Sequence, residues 1–177
     1  MTTLSRFRAD VDDFMELHPQ SPLSAEQLEE FEGLRYYDEN PALTFTVAVE
    51  RFAEDEPLVE MQTNTGDRRY YRRWGSFSFD VEGKTATLVV YSDPQTGDFF
   101  LPFKDATNGR ETYGAGRYMD SHRPALRRVD DAHLEVDFNY AYNPYCAYSE
   151  RYSCPLPPAE NWLKVPIRAG EKKYAEE

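Results

Sequence analysis

The sequence has few of the residues that build metal sites and disulfide frameworks. Its 177 residues include two cysteines, Cys146 and Cys154, and three histidines that form no ligand cluster with them. The spacing of the cysteines does not match a zinc ribbon, so we expect no metal site. A chain of this length buries roughly 70 % of its unfolded surface. It is therefore expected to fold as one domain, residues 1–177, without a metal site or disulfides.

Long apolar runs and lysine are also scarce. No stretch approaches the roughly 18 apolar residues of a membrane span, and the N-terminus lacks the apolar core of a signal peptide. We therefore expect a cytoplasmic protein without membrane contact. The net charge of -12 disfavours nucleic acid as a partner. The same charge indicates a halophilic protein, because concentrated salt screens the repulsion between its many carboxylates. The alternative is an ordinary acidic protein.

The apolar pattern divides the chain into a short helical part and a long strand-rich part. Apolar residues at helical spacing predict a helix over residues 5–17. A second short helix begins after Ser24, where Gln27 completes a capping box, and it ends before Gly33. Residues 1–33 are thus expected to form a helical segment that packs on a β domain.

From residue 34 onwards the apolar period is two. Strands are predicted at residues 44–49, 58–63, 77–81, 85–91, 99–103, 112–119, 134–140 and 162–167. The first two are expected to pair, and Glu82-Gly83 joins the next two in a hairpin. No helix separates the strands, so parallel crossovers are excluded. The predicted fold class is mainly β: an antiparallel barrel of about eight strands with two N-terminal helices. A sandwich is the alternative. The barrel is preferred because closing the sheet removes its exposed edge strands.

Two regions upstream carry candidate polar chemistry. The basic cluster at residues 68–74 alternates arginine with aromatic residues, and it either pairs with the protein's own carboxylates or captures an anion. In the turn-rich stretch after residue 103, Asp105 and Thr107 either satisfy their own backbone or line the mouth of a pocket. Asn139 is expected to face water if its strand is flat. If the strand curls around a polar lumen, Asn139 is expected to face a ligand.

Residues 137–161 hold both cysteines, five tyrosines and four prolines in one long connection. Buried tyrosine hydroxyls need partners, and a stiffened loop of this length indicates a site or a plug for the barrel end. The cysteines are two buried thiols that pack as small apolar side chains, a disulfide that closes the loop, or a site with a reactive or redox thiol. In the last case Cys146 is the nucleophile, and His133 is a base that could accompany it.

Several motifs of the chain resemble those of one family. Residues 142–148, 154–158, 101–107 and 116–118 are similar to the motifs of the family catalogued as domain of unknown function 1684. The resemblance covers most of the chain and implies no activity. It does imply one motif set, made of Asp105, Thr107, Arg117, Tyr118, Asn139, Tyr142, Asn143, Cys146, Cys154 and Glu160.

Three functions follow as hypotheses. The first is a binding protein whose barrel mouth holds a small polar or anionic molecule. Its ligand-binding residues would be Asp105, Thr107, Arg117, Tyr118, Asn139, Tyr142, Asn143 and Cys146. The second is a hydrolase or thiol-dependent enzyme with Cys146 as nucleophile and Glu160 or Asp105 as acid or base. The third is a structural protein in which the tyrosine-rich segment seals the core. The sequence names no cofactor.

Overall fold

The computed structural model describes residues 1–174, and the protein is mainly β with two N-terminal helices. Helix α1 spans Thr3–Leu17, and helix α2 spans Ala25–Glu29. The predicted capping box at Ser24 is confirmed, because its side chain accepts from the Gln27 backbone while the Gln27 side chain accepts from the Ser24 backbone. Both helices therefore begin and end close to where the sequence predicts.

Nine strands within the described residues form antiparallel sheets. They are β1 Thr44–Ala48, β2 Glu50–Arg51, β3 Val59–Gln62, β4 Arg68–Val81, β5 Lys84–Ser92, β6 Phe99–Phe103, β7 Arg117–Asp120, β8 Leu126–Arg128 and β9 His133–Asp137. The order is β1-β9-β8 in one sheet and β2-β4-β5-β6-β7 in the other, where β3 also pairs with β4. The predicted hairpin is confirmed as β4 and β5, with Glu82 and Gly83 at positive φ in its turn.

The two sheets do not close into a barrel within residues 1–174, so the expected closure is not found. Strand β1 continues into β2 through Val49, which carries the chain from one sheet to the other. At the opposite edge, β7 is linked to the chain after β9 by a single bridge between Tyr118 and Tyr142. Both sheets contribute to one apolar core, for example Val136 from β9 and Leu88 from β5.

One predicted strand pairing was wrong, and three predicted strands were too long or absent. The segment at 58–63 pairs with β4, and β1 pairs instead with β9, from Thr44 opposite Asp137 to Ala48 opposite His133. The strand predicted at 112–119 is reduced to β7, and that at 134–140 ends at Asp137. Residues 162–167 form no strand, because their backbone bonds go singly to the chain at 104–106.

Helix α1 packs across the β structure. Leu4 is buried in the main core, and the ring of Phe7 meets Tyr140 edge-on at 5.0 Å. Arg8 donates to the backbone carbonyls of Tyr37 at 2.8 Å and Asn139 at 3.3 Å. These contacts fix the helix beside the segment that follows β9. Neither helix in this part of the chain has the length and apolarity needed to cross a membrane.

Candidate functional site

A cavity of about 580 Å³ lies between α1 and the tyrosine-rich segment after β9. Helix α1 contributes Phe7 and Val11, which are one turn apart on the same face. Strand β7 contributes Tyr118 and Asp120, which share a face because alternate strand residues point the same way. Arg117 points to the other face and is fully buried. The period of β7 thus divides its polar residues between the cavity and the core.

Residues 142–155 form the facing wall of the cavity. Tyr142 lies at right angles to Tyr118 with 5.9 Å between ring centres, and Tyr145 and Tyr152 meet edge-on at 5.2 Å. These are favourable aromatic geometries. The segment that stood out in the sequence is therefore an aromatic wall of this cavity.

Arg123 brings a positive charge to the cavity from the turn between β7 and β8. It is half-buried, and its guanidinium carbon lies 3.8 Å from the ring centre of Tyr142 and 5.6 Å from that of Phe7. Among residues 1–174 it has no hydrogen-bond or ion-pair partner. A stacked guanidinium keeps its N–H donors free at its edge. The cavity therefore offers an unpaired cation with available donors.

Three other polar side chains of the cavity wall, Tyr142, Asp120 and Arg69, already have protein partners. The Tyr142 hydroxyl donates to Asp120, and burial together with that carboxylate raises the pKa of Tyr142 well above its usual value. Asp120 also accepts from the backbone of His122 at 3.0 Å. Arg69 donates to the carbonyl of Ser153 at 2.6 Å. Arg123 differs from them all in having no such partner.

The two cysteines are free thiols that lie together. The backbone N–H of Cys146 donates to Sγ of Cys154 at 3.4 Å, and the hydroxyl of Tyr113 lies 3.6 Å from Sγ of Cys146. Cys154 lines the cavity, whereas Cys146 does not. Hydrogen bonds from the Cys146 thiol and backbone, with the charge of Arg69, lower the pKa of Cys154 to about 6 against the opposing effect of burial. The thiol pairing and burial raise the pKa of Cys146.

Asp105, Thr107 and Arg117 lie in a buried network outside this cavity. The Thr107 hydroxyl donates to Asp105 at 2.8 Å, and Arg117 lies 3.6 Å from the same carboxylate. All three are at most 6 % exposed. Arg117 further donates to the carbonyls of Ile167, Ala169 and Glu171. These side chains hold the segment at 167–171 in place, and the structure does not bring them to the cavity.

The predicted asparagines also hold separate segments together. The side chain of Asn139 accepts from the backbone N–H of Asn40 at 2.8 Å and donates to its carbonyl at 3.0 Å, as a paired strand would. The Asn143 backbone donates to the buried Glu171, and its side chain donates to the Lys172 carbonyl. Both residues are buried, and neither lines the cavity.

The three catalytic candidates do not meet in one site. Glu160 is exposed and pairs with Arg73 at 2.9 Å, while Asp105 belongs to the buried network and Cys146 to the thiol pair. His133 is exposed and contacts Asp130 at 2.9 Å. The structure therefore supplies Cys146 with none of the acids or bases that the sequence suggested for it. Residues 1–174 also hold no group of three or more metal-ligating side chains.

Of the predicted ligand-binding residues, Tyr118 and Tyr142 line the cavity. Sequence reasoning missed Arg123, and it placed Arg69 only within a basic cluster. Arg123 stands in a short turn without periodicity, so its stacking on a tyrosine 19 positions later leaves no local signal. The tyrosine-rich segment was the one feature that pointed to this side of the molecule.

Comparisons with known proteins agree with the sequence resemblance. The family described as "Protein of unknown function (DUF1684)" matches residues 29–172. Among solved structures, the solution NMR structure of the uncharacterized protein from gene locus rrnAC0354 of Haloarcula marismortui is similar, with 34 % identity and a TM-score of 0.73 over 98 % of this chain and 94 % of that one. A comparison with curated proteins found no match.

Proposed function

The chain belongs to the DUF1684 family, and from the geometry of its cavity we propose that it binds a small anionic molecule with an apolar or aromatic body. The size of the cavity supports this, since small-molecule sites are commonly about 300–1,000 Å³. Its walls are mainly aromatic and apolar, with a few polar groups that converge on them. Such a composition favours a ligand with a flat apolar body and a charged end.

Arg123 is the observation that carries the proposal. The chain has 32 acidic residues against 20 basic ones, yet Arg123 stacks on an aromatic ring and pairs with no carboxylate among the described residues. Its stacking on Tyr142 orients the guanidinium, and a carboxylate or phosphate can then accept two parallel hydrogen bonds from it. Asp120 lies on the same wall, and its negative charge would disfavour a ligand with several negative charges.

A matched pair of probes tests the charge preference. Isothermal titration calorimetry with naphthoate and with the neutral naphthamide should show binding of the acid and much weaker binding of the amide. Arg123→Gln should weaken naphthoate binding about tenfold or more, since hydrogen bonds to charged groups contribute about 1.5–3 kcal/mol. Arg127→Gln is the control, because Arg127 is exposed and pairs with Glu135 away from the cavity.

Equal affinity for naphthoate and naphthamide would contradict the proposal. An equal loss of naphthoate affinity in Arg123→Gln and Arg127→Gln would contradict it as well. The structural alternative predicts that outcome, since a segment that only seals the core does not distinguish an acid from an amide. Native mass spectrometry of protein purified from its own host adds an independent readout. It should show a retained ligand of low mass that Arg123→Gln loses.

We also propose that the protein works in a salt-rich cytoplasm. The net charge of -12 and the two free thiols support this, as does the similarity to a protein of Haloarcula marismortui. The melting temperature should rise between about 0.1 M and about 1 M potassium chloride, where the Debye length falls from about 10 Å to 3 Å. A melting temperature that falls or stays constant would contradict the proposal.

A further inference from the structure

The cavity wall carries a pair of thiols in addition to its aromatic rings. Cys146 and Cys154 are eight positions apart, and their side chains and backbone are joined by hydrogen bonds. Cys154 is buried at 7 % exposure but lines the cavity, while Cys146 is half-buried, lies outside the cavity lining and contacts Tyr113. One thiol thus borders the cavity, and a second stands next to it.

We propose that this dithiol exchanges with a small disulfide that carries carboxylate groups and enters the cavity. The inference rests on the anion-binding function proposed above and names a ligand class for the same site. The cavity volume of about 580 Å³ accommodates two small arms joined by a disulfide. Arg123 would hold the carboxylate of one arm, so that the sulfur atoms lie towards Cys154.

The arrangement distinguishes the attacking thiol from the resolving one. Cys154 lines the cavity and accepts hydrogen bonds from the thiol and backbone of Cys146, which favour its thiolate. The thiolate is the nucleophile in such exchange, and it is most effective when its pKa is near or below the ambient pH. Cys146 keeps its proton until the Cys154 thiolate has been consumed, because that thiolate holds the proton in a hydrogen bond.

The exchange balances in two steps. The Cys154 thiolate attacks one sulfur of the disulfide, forms a mixed disulfide and releases the first arm as a thiolate. Cys146 then loses its proton to solvent, and its thiolate attacks Sγ of Cys154 and releases the second arm. Two electrons pass from the protein to the small disulfide, and two equivalents of a small thiol regenerate the dithiol.

The chromogenic disulfide dithiobis(nitrobenzoate) is a suitable probe, since each of its aromatic arms carries a carboxylate. With the wild-type chain we expect release of two thiolates for each probe molecule and an internal disulfide between Cys146 and Cys154, seen by peptide mass spectrometry. Cys146→Ser should release one thiolate and keep the other arm on Cys154. Cys154→Ser should lower the rate of the first release at least tenfold.

A second measurement serves if Cys154→Ser fails to fold. The wild type is treated with less than one equivalent of the probe and quenched with acid, and peptide mapping then identifies the first cysteine to react. Label on Cys154 supports the inference. Label first on Cys146, or two separate mixed disulfides on the wild-type chain, would overturn it.

The pH dependence of the first release gives another readout. The rate should rise with pH around a midpoint at about 6 and then level off, because the thiolate fraction of Cys154 grows through that range. A midpoint near 8.5, the usual thiol value, would overturn the assignment of Cys154 as the attacking thiol.

A neutral disulfide separates this inference from the anion-binding proposal. Arg123→Gln should slow the reaction with dithiobis(nitrobenzoate) about tenfold and leave the rate with dithiodipyridine unchanged. If both rates stay unchanged while Cys154 still reacts first and Cys146 resolves, anion binding fails and the exchange site stands. If naphthoate binds as expected while the thiols react in another order, the exchange site alone fails.

Discussion

Arg117 and Arg123 are six positions apart in the chain, yet they have opposite surroundings. Arg117 is fully buried, and its two terminal nitrogens donate to three backbone carbonyls with Asp105 beside them, while its Nε has no partner among the described residues. Arg123 is half-buried, stacks on Tyr142 and has no hydrogen-bond partner in the described part of the chain. One arginine holds the fold and is closed off from solvent, and the other remains available to a ligand.

Hydrogen-bond partners and solvent contact, rather than residue type, decide which polar residue can serve a site. A buried charge is tolerated when hydrogen bonds replace its lost water, and the segment at 167–171 supplies three such bonds to Arg117. The full burial of its side chain keeps it from a ligand. Arg123 retains solvent contact, so it does not need protein partners.

The largest expected effect comes from removing the buried arginine. Arg117→Met should lower the free energy of unfolding by about 3–5 kcal/mol, because it leaves the carbonyls at 167–171 without their donor and the buried Asp105 carboxylate without its cation. Urea denaturation measures the change. Arg127→Met is the control, since that exposed arginine should change stability by less than about 1 kcal/mol. Similar effects for both would show that the network does not hold the fold.

A glycine in the same buried region gives a smaller effect. Gly170 has a φ of 79°, and an added Cβ would lie 2.6 Å from the carbonyl oxygen of Ala141. Gly170→Ala should therefore cost about 2 kcal/mol or more in thermal or urea unfolding. Gly97→Ala has nearly the same φ with nothing within 4 Å, so it isolates the backbone strain of about 1 kcal/mol. Equal costs would mean that the tight packing contributes nothing.

The smallest effect on stability is expected at the cavity. Arg123→Gln should change the free energy of unfolding by less than about 0.5 kcal/mol, because it breaks no hydrogen bond with a described residue. Urea denaturation measures the stability of the variant, and the naphthoate titration measures its loss of binding. A loss above about 2 kcal/mol would make Arg123 a structural residue like Arg117 and remove the contrast between the two regions.

Local features of the fold were predictable from the sequence, and distant pairings were not. The capping box at Ser24 and the hairpin at Glu82-Gly83 depend on residues a few positions apart, and the structure confirms both. The partner of β1 lies about 90 positions away in β9, and nothing in the alternation of β1 names it. The segment at 162–167 alternates like a strand, but single bonds to other segments hold it instead.

The candidate site was harder to predict for a related reason. A polar residue in a loop or strand looks the same in sequence whether it binds a ligand or satisfies buried backbone groups. Asp105, Thr107 and Asn139 were predicted for the first role, and the structure gives them protein partners. Tyr118 and Tyr142 were predicted on the family resemblance alone, and they do line the cavity. That they bind a ligand stays a prediction.

The bonds from Arg117 to the segment at 167–171 also bear on how the chain matures during its synthesis. A ribosome delivers residues in order from the N-terminus, so Arg117 and Asp105 emerge about 50 residues before the carbonyls that complete their network. Until then the guanidinium must stay hydrated, and strands β5 to β7 cannot seal their side of the core. Nascent chains arrested before residue 167 should therefore be much more sensitive to protease than chains arrested with residue 171 already exposed.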